Sequence, residues 1–300
     1  MKTKKELTLP ARGRIQKSQL DIDACGFHLA FSKKTYVMGV LNVTPDSFSD
    51  GGRFFDKRRA LRRGLEMARE GAGIIDVGGE STRPGARDVS FAEEIDRVVP
   101  VIMCLAKELG VPISVDTRKA KVAEEAIKAG ASIVNDVSGL RHDRKMGPVV
   151  AGSGAVLIAT HMKGAPQDMQ RNPVYRNLIK DVISGLRESI RLARLCGIDE
   201  NKIIIDPGIG FGKAVWHNLE ILNRLDEFKA LRRPICVGTS RKSFIGKVLN
   251  IDDTGMRMAG TIATSVAAIL NGANIIRAHD VKEAREAAAM ADAILKAGAN

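Results

Sequence analysis

The sequence predicts an α/β fold, a single-domain (β/α)8 TIM barrel. Short apolar runs rich in β-branched residues alternate with helical stretches, a pattern typical of parallel βαβ units. Eight such units follow one another within the 300 residues. A polar residue stands at or just after the end of every predicted strand, and a barrel would gather these residues on one face. A doubly wound open sheet is the alternative topology.

The predicted strands are short, and a helical stretch follows each of them. We expect strands at residues 36–41, 74–77, 113–115, 133–135, 156–159, 202–205, 235–237 and 274–276. We expect helices at residues 57–69, 91–108, 120–128, 145–151, 174–195, 218–228, 258–270 and 282–295. A pair of short strands around residues 22–31 precedes the barrel, and as a β-hairpin it could cap the bottom.

Residues 1–20 differ in composition from the rest of the chain. They carry six Lys and Arg residues and no periodic apolar face, so they predict a flexible, basic N-terminal extension. The barrel domain is then expected over residues 21–300. A solvated tail is the simpler interpretation of the extension, and an RNA- or surface-binding arm is the alternative.

The composition also limits the classes of partner. The net charge of +12 is spread along the chain rather than concentrated in one stripe, which argues against a nucleic-acid-binding protein. Aromatic residues make up only 4% of the sequence, so platforms on which bases stack are not expected. The uncharged stretch 258–276 could span a bilayer by length, but its Thr, Ser, Asn and Gly content predicts a buried helix and strand. We expect small-molecule substrates, no nucleic acid and no membrane.

Cysteine usage bears on the cellular compartment. The four cysteines lie far apart and form no Cys-x-x-Cys pair, so neither a disulfide framework nor a zinc site is indicated. This usage fits a reducing compartment, and the N-terminal residues lack the apolar core of a secretory signal. We therefore expect a cytoplasmic protein.

The candidate functional residues are the polar side chains at the strand ends. They are Asn42, Glu80, Ser81, Thr82, Asp116, Thr117, Asn135, Asp136, His161, Asp206, Ser240, Arg241, Lys242, Arg277, His279 and Asp280. Any one of them alone could be a loop residue or a helix cap. Eight polar strand ends in register predict an active site on the C-terminal face of the barrel.

Covalent catalysis and zinc chemistry are poorly supported. The sequence contains no Gly-x-Ser-x-Gly motif, no cysteine ends a predicted strand, and no group of histidines predicts a metal cage. Residues 208–212 (GIGFG) look like a nucleotide-binding loop, but Ala214 follows Lys213 where a P-loop has Ser or Thr. We interpret them as a glycine loop that allows close backbone approach.

Two groups of strand-end residues indicate a substrate class. Arg277 and His279 would lie beside Arg241 and Lys242, at the two strands after which barrels often bind phosphate. A forked arginine there suits a pair of diphosphate oxygens.

The opposite side of the same face is rich in hydrogen-bond acceptors. Asp116, Asn135 and Asp206 would form a wall that suits a flat heterocycle with amino and ring N–H donors. The residues thus predict a site for an amino-substituted heterocycle that carries a diphosphate.

At these residues the sequence resembles the dihydropteroate synthases. Two long, specific motifs carry the resemblance, residues 38–52 (MGVLNVTPDSFSDGG) and residues 78–86 (GGESTRPGA). Shorter matches are residues 114–117 (SVDT), 135–139 (NDVSG), 206–213 (DPGIGFGK), 240–244 (SRKSF) and 277–281 (RAHDV). The resemblance runs from about residue 22 to the end of the sequence.

The resemblance implies a transferase of folate biosynthesis. Such an enzyme condenses 6-hydroxymethyl-7,8-dihydropterin diphosphate with p-aminobenzoate to give 7,8-dihydropteroate and diphosphate, with Mg²⁺ as cofactor. It is typically a homodimer and a target of sulfonamides, and the small-residue helix 259–268 is a plausible interface.

The resemblance also implies roles for individual residues. Those expected to hold the pterin are Asp116, Asn135, Asp206 and Lys242. Those expected at the magnesium–diphosphate are Asn42, as the metal ligand, with Thr82, Arg277 and His279. Those expected in the p-aminobenzoate pocket are Pro84, Phe211 and Ser243, and Arg83 is a further substrate-binding candidate. The loops 44–52 and 81–86 would close over the site.

The implied chemistry explains the absence of a nucleophile–base pair. An electron-rich dihydropterin can stabilise a cation at its exocyclic carbon, so bond breaking can precede attack. Asp116 would stabilise the developing positive charge, while magnesium, Arg277 and His279 would stabilise the leaving diphosphate. Lys242 completes the set of catalytic candidates together with Asn42.

Two alternatives use the same barrel. A pterin-binding methyltransferase that passes a folate methyl group to a corrinoid could share Asp116, Asn135 and Asp206. It would not need a diphosphate loop such as residues 42–52 or the segment 240–243. A paralogue with a different acceptor or pterin is the other alternative.

Overall fold

A closed barrel of eight parallel strands organises the chain. In the computed structural model the described residues are 20–44, 53–81, 88–164, 169 and 173–297. The barrel strands are β3 (Tyr36–Asn42), β4 (Ile74–Gly78), β5 (Ile113–Asp116), β6 (Ile133–Asp136), β7 (Val156–Thr160), β8 (Ile203–Asp206), β9 (Cys236–Val237) and β10 (Ile275–Ala278). The helices are α1 (Arg53–Arg69), α2 (Phe91–Glu108), α3 (Ala120–Lys128), α4 (Met146–Ser153), α5 (Leu178–Leu195), α6 (Val215–Asn223), α7 (Ser243–Leu249), α8 (Met258–Leu270) and α9 (Val281–Ala297).

The strand order confirms the predicted topology. Strands β3 to β8 pair in chain order, and β10 pairs with β3 on one side and with β9 on the other. A parallel bridge between Ile205 and Ile235 joins the β8 edge to the start of β9. The ring therefore closes, and the doubly wound open sheet is ruled out.

The barrel interior changes from apolar to polar along the strands. Alternate strand residues face the same side, and the lower interior is an apolar cluster that includes Ile74, Ile133, Ile204 and Ile275. Two residues further along the same four strands, the interior positions are Asp76, Asn135, Asp206 and Arg277. The outward-facing strand residues pack beneath the helices in a second apolar core. The polar site therefore lies on a layer of apolar side chains.

A β-hairpin lies at the lower end of the barrel, as predicted. Its strands β1 (Ile22–Ala24) and β2 (Phe27–Leu29) pair antiparallel, with Ile22 opposite Leu29. Ile22, Ala24 and Leu29 belong to the same apolar cluster as the lower barrel interior. The Ala30 N–H donates to the Tyr36 hydroxyl at 2.9 Å, which ties the hairpin to the first barrel strand.

Several element boundaries differ from the predicted ones. Helix α5 begins at Leu178 rather than at residue 174, because the Asn177 side chain accepts from the Lys180 N–H and caps the helix there. The helix predicted over 218–228 is instead α6 followed by a 3-10 helix, Leu225–Leu231. Helix α7 was not predicted, because its seven residues are too few to show a periodic pattern.

The described residues also bear on the extension and the membrane. Residues 1–19 of the predicted basic extension lie outside them, so that part of the domain assignment stays a prediction. Within the described ranges no helix is long and apolar enough to cross a membrane.

Candidate active site

The predicted acceptor wall stands at the C-terminal end of the barrel. Asp116, Asn135 and Asp206 occupy the last or next-to-last positions of β5, β6 and β8, and each is at least nine-tenths buried. Asn42 ends β3 and is half-buried. The structure therefore gathers these four residues on one face, as the strand-end pattern predicted.

Arg277 bridges two buried carboxylates inside this face. Its Nε donates to Asp76 Oδ2 and its Nη2 donates to Asp116 Oδ2, each at 2.6 Å. The Asn135 amide also donates to Asp76 Oδ2, at 3.3 Å. Charge-assisted bonds of this kind fix a planar guanidinium in one orientation. The prediction that Arg277 contacts the diphosphate stays a prediction, because two of its nitrogens are engaged with carboxylates here.

Asp76 is a site residue that the sequence analysis missed. It lies one layer below the strand ends, in the middle of β4, and is fully buried. A signal was available, since Asp76 is a lone carboxylate between Ile75 and Val77 in an otherwise apolar strand. Charged residues are almost never fully buried without a partner, and here the partners are Arg277 and Asn135.

Asp116 combines a fixed position with an altered affinity for protons. Burial raises the pKa of Asp116 to about 7, with Asp76 acting in the same direction and Arg277 opposing it. Its second oxygen, Oδ1, is buried and has no hydrogen-bond partner among the described residues. A buried acceptor without a donor is costly, and an N–H group of a bound heterocycle would satisfy it.

Asp206 and Lys242 form the other charged part of the face. Asp206 Oδ1 accepts from the Gly208 N–H at 2.7 Å. The Lys242 ammonium donates to the Ile209 carbonyl and lies 4.4 Å from the centre of the Phe211 ring, within cation–π range. Burial lowers the pKa of Lys242 to about 8, against the opposing effect of Asp206.

Arg241 and Lys242 point to different surroundings although they are neighbours in sequence. Arg241 has a left-handed backbone, with φ of 58°, and its Nε donates to Asp280 at 3.0 Å. The Arg241 carbonyl accepts from the Arg257 guanidinium at 3.0 Å, and this bond stabilises the turn. Lys242 instead contacts the loop that carries Phe211. Only the second of these two cations lies against the acceptor wall.

His279 is oriented by a serine from the neighbouring strand end. Ser240 Oγ and His279 Nδ1 lie 2.9 Å apart, and the His279 backbone N–H donates to the same hydroxyl at 3.2 Å. Arg63 of α1 donates to the His279 carbonyl at 3.2 Å. This contact brings the Arg63 cation from α1 to the end of β10. Arg63 was not among the predicted site residues.

Of the remaining predicted residues, Ser243 lines a cavity beside the face and others lie outside the described ranges. Ser243 begins α7, is exposed, and lines a cavity of about 660 Å³ beside the face. Thr82, Arg83 and Pro84, and most of the loops 44–52 and 81–86, lie outside the described residues. Their predicted roles stay predictions.

The described residues contain no protein-only metal cage. None of their His, Cys, Asp and Glu side chains form a group of three that could hold an ion. Asn42 offers one amide oxygen, and a methyl group built at Gly78 would lie 3.8 Å from it. Magnesium prefers oxygen ligands and keeps several waters beside substrate phosphates, so the Asn42 amide oxygen is of a type that could complete the shell of a magnesium–diphosphate.

Fold and site together define a barrel enzyme that binds a donor-rich heterocycle. The model of the pterin binding enzyme family matches residues 38–279. Dihydropteroate synthase of Bacillus subtilis is 50% identical over 270 residues, which cover 90% of this chain and 92% of that protein.

Solved structures agree with the family match. Dihydropteroate synthase from Clostridium difficile in the presence of pteroic acid has a TM-score of 0.83, 48% identity and coverage of 87% and 97% of the two chains. The enzyme from Xanthomonas albilineans with 4-aminobenzoic acid has a TM-score of 0.86, 39% identity and coverage of 92% and 98%. The chain belongs to the pterin-binding enzymes, and within them to the dihydropteroate synthase family.

The negative charge of Asp76 beside Asp116 predicts that removing Asp76 shifts the pKa of Asp116. In Asp76→Asn a negative charge beside Asp116 is lost, so the ionised form of Asp116 becomes easier to reach. We expect its pKa to fall from about 7 by roughly one unit, measured by NMR titration of 13C-labelled aspartate. Glu286→Gln, on the exposed face of α9, is the control for losing one charge. An unchanged midpoint in Asp76→Asn would show that the two carboxylates are electrostatically independent.

Proposed function

We propose that this protein condenses 6-hydroxymethyl-7,8-dihydropterin diphosphate with p-aminobenzoate, giving 7,8-dihydropteroate and diphosphate in folate biosynthesis. The observation that carries the proposal is the ion pair between the partly buried Arg277 and the buried Asp116, beside Asn135 and Asp206. The chain that carries this arrangement is 50% identical over 270 residues to a dihydropteroate synthase. Related structures were obtained with pteroic acid and with 4-aminobenzoic acid, the classes of product and acceptor that the proposal requires.

The pterin lies against the acceptor wall in this proposal. Its amino and ring N–H groups donate to Asp116, Asn135 and Asp206, and the unpartnered Asp116 Oδ1 is one of the acceptors. Lys242 donates to the pterin from the Phe211 side. Gly78 has no side chain, so it leaves space for the pterin beside the end of β4. The side chains nearest to that space are those of Asp116 and Asn42.

The reaction replaces a C–O bond by a C–N bond at the exocyclic carbon. As the bond to the diphosphate oxygen breaks, positive charge develops on the dihydropterin, and the nearby Asp116 carboxylate stabilises it. The arylamine nitrogen then attacks with its lone pair and loses one proton. The amine is neutral at pH 7, so no strong base is needed before attack.

A magnesium ion is proposed to accompany the diphosphate. Asn42 would supply its protein oxygen and the diphosphate would supply others. When bound, the ion would neutralise charge on the leaving group. His279, oriented by Ser240, would donate to a diphosphate oxygen, with Thr82 and Arg277 as further candidates.

The proposal extends to the assembly and the location of the protein. We infer a homodimer, because helices α7, α8 and α9 expose several large apolar side chains, including Leu249, Leu270, Met290 and Ile294. Sedimentation of the purified protein at micromolar concentration would contradict this if it gave a monomer. A cytoplasmic location is proposed from the scattered free cysteines.

One assay tests the proposed function directly. The purified protein is incubated with the pterin diphosphate, magnesium and p-aminobenzoate, and dihydropteroate is detected by mass spectrometry. We expect turnover that chelation of magnesium abolishes and that a sulfonamide inhibits competitively against p-aminobenzoate. Pterin binding without any product would favour a different acceptor, and methyl transfer from a folate to a corrinoid would favour the methyltransferase alternative.

The pKa values of two site residues predict a bell-shaped pH profile. Asp116, with a pKa raised to about 7, loses its carboxylate as the pH falls through 7. Lys242, with a pKa lowered to about 8, loses its ammonium as the pH rises through 8. We expect kcat/KM of the pterin diphosphate to fall on both sides of this window. In Asp116→Asn the acid limb should disappear and kcat should fall by roughly 10²-fold.

The orientation of the two neighbouring cations predicts unequal effects of their removal. Lys242→Ala should weaken pterin binding and turnover together, because its ammonium lies beside Asp206 and Phe211. Arg241→Ala is the matched control one residue away and should be milder, because Arg241 pairs with Asp280. Calorimetry with the pterin and steady-state kinetics check both variants. The reverse ranking would mean that Arg241 is the substrate contact.

A further inference from the structure

Lys213 is a buried lysine that the proposed mechanism does not use. It follows the glycine loop 208–212 and is only 2% exposed. Lysines are almost never fully buried unless they are paired. No carboxylate among the described residues lies within ion-pair distance of its ammonium. Burial lowers the pKa of Lys213 to about 7 against the attraction of Asp206, so the remaining stabilisation of its ammonium has to come from hydrogen bonds.

The surroundings of the Lys213 ammonium match its three N–H groups one for one. Its Nζ lies 3.1 Å from His161 Nδ1, 3.2 Å from the His161 carbonyl and 3.1 Å from the Phe211 carbonyl. An ammonium has three donors and no acceptor, so all three contacts are satisfied. Burial lowers the pKa of His161 to about 2, so its ring is neutral and Nδ1 can accept.

These contacts join two separate segments of the chain. His161 directly follows β7, whereas Phe211 lies in the loop after β8. The two backbones are in close contact, because a Cβ at Gly208 would lie 2.0 Å from the His161 carbonyl oxygen. At Gly212 it would lie 2.2 Å from the Lys163 carbonyl oxygen. Both glycines have positive φ, of 72° and 62°, so only glycine suits these positions.

The same loop faces the proposed substrate site on its other side. Lys242 donates to the Ile209 carbonyl, and its ammonium lies 4.4 Å from the centre of the Phe211 ring. Lys213 thus holds the backbone carbonyl of Phe211 while the Lys242 ammonium lies over the Phe211 ring. A shift of the Phe211 carbonyl would move the ring relative to Lys242.

We propose that Lys213 is a positioning residue for the acceptor site. Its ammonium fastens the loop 208–212 to the end of β7 and thereby sets the Phe211 ring under Lys242. The inference rests on the proposed function, in which Phe211 lines the p-aminobenzoate pocket. Two of the three residues of the pterin wall, Asp116 and Asn135, are held by strand ends and by Arg277 and Asp76. The third, Asp206, accepts from Gly208 of this loop but is itself fixed at the end of β8, so loss of Lys213 should affect the pterin less than the acceptor.

The decisive measurement separates the two substrates. Lys213→Met keeps an unbranched side chain of similar size but removes all three donors. We expect the KM for p-aminobenzoate to rise by about tenfold or more, while calorimetric Kd values for the pterin change by less than about threefold. Lys107→Met, at an exposed position on α2, is the control for losing one positive charge and should leave both constants unchanged. Equal losses for both substrates, or no loss for either, would overturn the proposal.

A double-mutant cycle tests whether Lys213 acts through Phe211. If it does, Lys213→Met should add little to the effect of Phe211→Ala on the KM for p-aminobenzoate. Effects that multiply would mean that the two residues act independently, against the proposal. Should Lys213→Met fail to fold, Lys213→Leu decides, because it also removes all three donors. An unchanged KM for p-aminobenzoate in that variant, or failure of both variants to fold, would assign Lys213 to the fold alone.

The wild-type protein in the same assay separates this inference from the proposed function. Absence of wild-type turnover would contradict the proposed function itself. Wild-type turnover together with an unaffected Lys213→Met variant would contradict only the role of Lys213.

Discussion

The guanidinium of Arg277, held between Asp76 and Asp116, is the interaction on which the rest of the site depends. It spans from β10 to β4 and β5, so it requires a closed barrel that brings these strands around one interior. Burying three charges is expensive, and their mutual attraction offsets that cost only when the geometry is good. Both contacts are 2.6 Å long and directional, which meets this condition. Removal of Arg277 would leave two facing carboxylates without a cation in the interior.

The period of the β-strand explains where this charged layer lies. Side chains two residues apart face the same side, so the interior position above Ile74 is Asp76 and the position above Ile275 is Arg277. The apolar layer beneath keeps water from the charges, which raises the pKa of Asp116 and lowers that of Lys242. The same arrangement that stabilises the barrel therefore tunes the protonation of the residues proposed to do the chemistry.

The sequence predicted the strand ends better than the layer below them. Asp116, Asn135 and Asp206 were found because each closes an apolar run, where a polar residue is conspicuous. Asp76 was missed because it interrupts such a run, and its role depends on Arg277, which is 201 residues away in the sequence. No local pattern could show that Lys213 joins two loops, since that contact exists only after the strands β7 and β8 have paired. Similarly, the opposite orientations of Arg241 and Lys242 follow from a left-handed turn rather than from residue type.

The charges of the polar layer constrain how a diphosphate can be received. Asp76, Asp116 and Asp206 face Arg277 and Lys242, so with all five ionised this layer carries one net negative charge. Such a layer suits a heterocycle that gains positive charge, but by itself it repels a diphosphate. The diphosphate must therefore meet its positive partners above the layer, where the proposed magnesium at Asn42 and the oriented His279 would lie. The negative layer and the positive groups above it therefore favour breaking of the C–O bond. The dihydropterin cation is left beside the negative layer, and the diphosphate is left beside the positive groups.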